Sequence, residues 1–335
     1  MKGFAVRSLL PLFIAAAGLV SLIATHSTDV LFGRSSFRSG EREDVTQVAH
    51  IDRIDQHPDF APYLFDDDSG KNIYLLGSSE LSSGGDAIPY NFITANYPTR
   101  VIGVGHEGNQ SFSIYSQLLA NYNKLSGVKV IVIVSPMWFQ SDYAFGTTSP
   151  VFLQFNPDSY LERILENSNI PKHFKAYEEE RVAEFYGDFT SPTLPFKTMF
   201  LDHQAGKNVL NTIAYAPLRA THSVVSTLHR SLFPHPEYDF SAHPGAAPAQ
   251  SEVRVNWDSL YAASKNRVLS STTSNNWGID DAYYSEYIGG SHGKIKMVPL
   301  RANREWDDFR MLVSLLKDGN DAASFIILPM NPYYY

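Results

Sequence analysis

The chain contains no cysteine in its 335 residues. That absence excludes disulfides, thiolate nucleophiles and cysteine-ligated zinc together. Positive charge is also scarce. Lys and Arg number 27 against 35 Asp and Glu, giving a net charge of -8. A general polyanion binder needs the opposite balance, so nucleic acid is not an expected partner. No internal repeat and no low-complexity tract interrupts the chain. What is abundant is apolar: 44% of residues are hydrophobic and 13% aromatic, enough for a substantial core. The length suits one large α/β domain or two smaller ones.

No Asp, Glu, Lys or Arg occurs from Ser8 through Thr28, and Lys2 and Arg7 precede the apolar run Leu9 to Ala24. About 20 such residues span a bilayer core. The basic flank predicts a cytoplasmic N-terminus, with the rest of the chain outside. Residues 1–28 are therefore expected to form a single-pass anchor in the cell membrane. The competing reading is a cleaved signal peptide. A cut after Ala24 would place Leu22 where a small residue is needed. Residues 29–69, polar and weakly periodic, read as a stalk and domain entry, and 70–335 as the extracytoplasmic domain.

Within that domain Asn72–Leu76, Arg100–Val104, Val128–Val134 and Ser324–Leu328 read as strands. The unbroken Val/Ile character of the third suits a parallel strand covered on both faces. Gln110 to Leu125 reads as a helix with Phe112, Tyr115, Leu118, Leu119 and Tyr122 on one face. Pro157 to Glu184 reads as two helices broken at Ile170-Pro171, Leu201 to Phe233 as mostly helical, Ser251 to Ser264 as a further helix, and Asn303 to Lys317 as an amphipathic one. The stretch of about 150–265 is expected to be a helical insertion capping the carboxyl edge of the sheet, where ligands bind in open α/β folds.

Three segments at strand ends carry candidate chemistry. Gly77-Ser78-Ser79-Glu80-Leu81 puts a serine on a strand-to-helix turn, where its hydroxyl can attack a carbonyl and following amides can stabilise an oxyanion. An ordinary Gly-Ser turn with a serine cap is the plain alternative. Gly103-Val104-Gly105-His106-Glu107-Gly108 matches the dinucleotide-binding spacing. The next strand, however, ends in Ser135-Pro136 rather than an acidic residue. An oxyanion-donating loop or a simple tight turn uses the same glycines. Ser135-Pro136-Met137-Trp138-Phe139 ends the third strand with aromatics suited to a pocket wall or to the core.

Taken in order, these segments resemble the first three blocks of the SGNH hydrolase fold, and more specifically the DltD family. Gly108-Asn109-Gln110-Ser111, Asn276-Trp277-Gly278-Ile279-Asp280 and Trp306-Asp307-Asp308-Phe309 leading to Phe325-Ile326-Ile327-Leu328-Pro329 carry the rest of the likeness. The resemblance implies a three-layer α/β/α, flavodoxin-like domain with a mostly parallel sheet, tethered by one transmembrane helix. It implies acyl transfer in D-alanylation of teichoic acid, with Ser79 as nucleophile. The oxyanion hole would use the Ser79 and Gly108 amides, and Glu80, Asn109, Gln110 and Trp138 would border the substrate. It implies no cofactor and no metal. A membrane-bound O-acyltransferase, the D-alanyl carrier protein and a teichoic acid or related polymer are the partners it suggests.

Two features depart from the family pattern. The asparagine donor of the third SGNH block is replaced by Pro136-Met137-Trp138. The Asp and His expected three residues apart near the C-terminus are not found, since none of the eleven histidines has an Asp at that spacing. A missing C-terminal segment is the expected reason. A non-catalytic partner of the membrane acyltransferase is the alternative. His106 and His292 are the imidazoles near glycine-rich turns.

Overall fold

The computed structural model describes residues 50–56, 64–65, 72–82, 88–140, 146–188, 193–207, 253–277, 279–290, 293–294, 303–320 and 322–329. The expected anchor, most of the expected stalk, most of the helical stretch read over Leu201 to Phe233, and His292 lie outside them. Among the described residues no helix is long and apolar enough to cross a membrane.

Among the described residues five parallel strands form one sheet: β1 (His50–Ile51), β2 (Asn72–Leu76), β3 (Arg100–Val104), β4 (Lys129–Val134) and β5 (Ser324–Ile327), in the spatial order β1-β3-β2-β4-β5. Side chains alternate across the sheet with the period of two that pleating imposes. Tyr74, Leu76, Ile102, Val104, Val130, Val132 and Val134 point into a large apolar cluster on one face. Ile73, Leu75, Val101, Ile131 and Ile133 point into a smaller cluster on the other. Burial on both faces explains why β2 to β4 read as nearly unbroken apolar runs.

Helix α1 (Pro89–Asn96) connects β2 to β3 and packs on the smaller cluster through Tyr90 and Ile93. Proline at its first turn supplies a preset φ where no amide partner is needed. Helix α2 (Ser111–Ala120) connects β3 to β4 on the opposite face. The chain thus leaves β2 for one neighbour and later returns to the other, passing over opposite faces. That reversal makes a topological switch between β2 and β4, and ligands in open α/β sheets bind at the carboxyl ends of strands beside such a point.

Between β4 and β5 lie α3 (Ser149–Phe155), α4 (Asp158–Glu166), α5 (Lys172–Phe185), α6 (Leu194–Lys207), α7 (Trp257–Ser271) and α8 (Arg304–Gly319). Helices α3 and α4 pack against α2, α6 packs against α4 and α5, and α8 lies along α2. Asn303 caps α8 by accepting from the Trp306 amide at 3.0 Å, and Asp307 in its first turn complements the N-terminal dipole. The most prominent difference from the sequence reading is α2. The spacing predicts one apolar face, yet all ten of its residues are buried, including Ser111, Ser113, Ser116 and Gln117. Buried partners make this possible. Ser116 donates to Glu178 at 2.7 Å, and the Ser113 amide donates to Thr147 at 3.2 Å.

Candidate active site

Leu76 and Val104 are paired across adjacent strands, so the turns that follow them start side by side. The Gly77 amide donates to the Val104 carbonyl at 3.1 Å, and the Gly105 amide to the Ile51 carbonyl at 3.0 Å. Gly105 adopts φ +152°, and a Cβ there would sit 2.0 Å from the Gly77 carbonyl oxygen. Only glycine lets the two backbones approach this closely.

The contacts between the two turns are direct. The Gly108 amide donates to Ser78 Oγ at 3.1 Å, and that hydroxyl donates to the His106 carbonyl at 3.2 Å. Asn109, fully buried, donates through Nδ2 to the Gly77 carbonyl at 2.8 Å and accepts from Gln117 Nε2 at 3.0 Å. Helix α2 thereby holds the serine turn through Asn109. On the other side His50 Nε2 lies 2.8 Å from the Gly105 carbonyl, and its ring stacks on Tyr90 with centroids 5.0 Å apart.

Ser79 opens a single 3-10 turn, Ser79–Leu81, and is exposed, whereas Ser78 is buried. Burying Leu81 beneath the turn directs its neighbour outward. Glu80 folds back so that Oε1 accepts the Ser78 amide at 2.6 Å. Burial raises the Glu80 carboxyl above its ordinary pKa, and hydrogen bonds from backbone amides oppose that rise. Among the described residues no imidazole or carboxylate is hydrogen-bonded to the Ser79 hydroxyl.

The structure therefore gathers Ser78, Ser79, Glu80 and Gly105 to Gln110 at one sheet edge. Gln110 is the residue before α2 and makes no side-chain cap. Trp138 lies on the 3-10 turn after β4, on the other side of β2, and is packed into the large core at 5% exposure. His106 turns its ring away from the serines. Its nitrogens meet the Glu107 carbonyl at 2.7 Å and Gln154 Oε1 at 2.6 Å, and its ring rests on Phe155. His50 and Gln117 support the site but carry no motif. Their partners are 55 and 8 residues away, respectively, and no local spacing marks them. Among the described residues no group of three His, Asp or Glu side chains is placed to hold a metal. A groove of about 580 Å³ between α1 and α7, bordered by Ile73, Phe92, Ile93, Trp257 and Leu260, includes none of the turn residues.

An exposed serine at the carboxyl end of a parallel strand, beside a glycine turn that presents an amide, suits nucleophilic attack on an acyl carbon. The GxGxxG turn is already engaged with the serine turn and with α2, which leaves the dinucleotide reading without structural support.

The model of the family described as DltD protein matches residues 61–335 of the chain. The Protein DltD of Staphylococcus aureus (strain NCTC 8325 / PS 47) is 24% identical over 283 residues, covering 80% of this chain and 66% of the relative. The Protein DltD of Bacillus subtilis (strain 168) is 24% identical over 279 residues, covering 78% and 65%. The chain thus spans just under two thirds of the length of each of these relatives.

Proposed function

Because the chain belongs to the DltD family, we propose that it acts in the D-alanylation of teichoic acid or a related envelope polymer, as a serine acyl-transfer enzyme using Ser79. The observation that carries this reading is the Gly108 amide reaching the serine turn, 3.1 Å from Ser78 Oγ.

In this reading the domain is an SGNH-like α/β/α sandwich held outside the membrane by the apolar segment Leu9 to Ala24. Ser79 Oγ attacks the carbonyl carbon of a D-alanyl ester or thioester. The tetrahedral oxyanion takes hydrogen bonds from the Ser79 and Gly108 amides. At rest the Ser78 hydroxyl occupies the Gly108 donor, and an anionic oxygen is the stronger acceptor. Collapse breaks the bond to the donor group, which leaves with the proton taken from Ser79. A hydroxyl of the polymer, or water, then attacks the acyl-enzyme and releases Ser79. The required base is assigned to none of the described residues. Glu80, Asn109 and Gln110 border the turn, whereas Trp138 is packed into the large core. A membrane-bound O-acyltransferase and the D-alanyl carrier protein are the expected partners.

A second reading, a non-catalytic anchored partner of that acyltransferase, is favoured by the Ser79 hydroxyl having no imidazole or carboxylate bonded to it among the described residues. A fluorophosphonate probe separates the two. Labelling of the full-length natural protein that disappears in Ser79→Ala supports the enzyme, and absence of labelling supports the partner. In cells, Ser79→Ala should reduce envelope D-alanine esters to the level of a deletion strain. Unchanged esters would refute catalysis by this residue.

A further inference from the structure

Helix α2 begins immediately after Gly108-Asn109-Gln110, yet its own sequence does not cap it. The residue before it is Gln110, whose side chain makes no capping bond. The free first-turn amides of a helix are normally met by a local Ser, Thr, Asp or Asn. Here the Ser111 amide instead donates to Glu305 Oε1 at 3.1 Å, from a residue 194 positions later on α8. Glu305 is fully buried, and its second oxygen, Oε2, is buried with no hydrogen-bond partner among the described residues. A carboxyl group is expensive to bury, so its presence at this helix start calls for a role.

We infer that Glu305 is a positioning residue of the site, a cap supplied by another helix that holds the first turn of α2 and so aims the Gly108 amide at the serine turn. This inference rests on the acyl-transfer reading for its effect on rate, but not for its effect on the backbone. Two residues, Asn109 and Gln110, separate Gly108 from Ser111, and Asn109 is already clamped to Gly77 and Gln117. Loss of the cap leaves the junction between the loop and α2 held by Asn109, with the earlier part of the loop still tied through Gly108 and His106.

The charged groups facing Glu305 are Arg181 of α5 and Asp308 of its own helix, with Glu178 of α5 also interacting with both of these. An ideal Cβ built on Gly146 would lie 3.9 Å from Glu305 Oε2, 4.0 Å from Arg181 Nη2 and 4.0 Å from Asp308 Oδ2. Burial is the dominant influence on Glu305 and moves its titration to about pH 8. At neutral pH the cap is therefore a neutral carboxyl, which an amide can mimic.

The test uses the full-length protein with Glu305→Gln and Glu305→Leu. Hydrogen exchange at the Gly108 to Ser111 amides reads the backbone, and probe labelling at Ser79 between pH 6 and pH 10 reads the chemistry. Glu305→Leu should accelerate exchange at Ser111 and slow labelling about tenfold or more, as expected when an oxyanion donor is misdirected. Glu305→Gln should restore protection and labelling near neutral pH and remove the component of the pH profile centred near 8. Unchanged exchange in Glu305→Leu would overturn the inference. If Ser79 labels in no version, the catalytic reading fails, and the exchange data still decide whether Glu305 positions the loop.

Discussion

The carbonyl of Gly77 and the side-chain amide of Asn109 are joined by a 2.8 Å hydrogen bond that spans 32 residues of chain. This bond, with the Gly108 amide on Ser78, makes one rigid unit of two turns that sequence alone presents as separate. Replacing Asn109 by Leu would leave the Gly77 carbonyl without this buried donor. The change should destabilise the domain by about 1–3 kcal/mol, read as a lower denaturation midpoint. Asn109→Asp should be worse, because a carboxylate would face the Gly77 carbonyl with no proton to donate.

Gly105 is the steric counterpart of that bond. An alanine methyl would lie 2.0 Å from the Gly77 carbonyl oxygen, on a backbone with φ +152°. Either the turns separate or the strand ends shift. Gly105→Ala should destabilise by on the order of 2–4 kcal/mol and abolish probe labelling at Ser79. Gly127→Ala is the control, since a Cβ there meets nothing within 4 Å, and it should leave the melting temperature within about a degree or two of wild type.

Strands β2 to β4 are legible in the sequence because a parallel strand buried on both faces needs apolar side chains in an unbroken run, and β5 carries a similar apolar run although its four residues are exposed. The serine and glycine turns are legible for the same reason, since they directly follow those runs. Other parts leave no such trace. β1 is two residues long, and it is held by β3 across more than 50 residues, so His50 carries no local signal. Helix α1 starts after Ile88 without a capping side chain. The polar residues of α2 look solvent-facing in the sequence. They are buried because Glu178, Glu305, Thr147 and Asn109 come to meet them from elsewhere in the chain. Contacts of that kind are set by tertiary packing, which periodicity does not encode.

The ion pair behind α2 gives a separate stability prediction. Arg181 grips Asp308 with Nε at 2.7 Å and Nη2 at 3.0 Å, both side chains nearly inaccessible, and its guanidinium lies 4.7 Å from the Phe112 ring centre. Tyr177 adds a third donor to Asp308 at 2.7 Å. Arg181→Met would leave the carboxylate buried with one donor, and should lower stability by about 3–5 kcal/mol. The double variant Arg181→Met, Asp308→Leu removes the stranded charge and should recover part of the loss. A double variant no more stable than Arg181→Met would show that the guanidinium acts through its stacking on Phe112 rather than through the pair.

Glu178 links this layer to pH. Its carboxyl is fully buried, accepts one hydrogen bond from Ser116 Oγ at 2.7 Å, and is pushed up to about 8 chiefly by loss of solvent. Arg181 opposes the shift, and Asp308 reinforces it. The folded protein therefore holds a proton that the unfolded chain releases near the ordinary carboxylate value of about 4.5. Stability from this group is complete below about pH 4.5 and declines as pH rises towards about 8, where the folded protein also ionises. Glu178→Gln keeps the shape and an acceptor for Ser116 but cannot ionise. It should flatten the fall in stability between these two values by a few kcal/mol, measured as denaturation midpoints across the range. An equally steep decline in the variant would assign the pH dependence to other groups, with Glu305 the first to test by the same substitution.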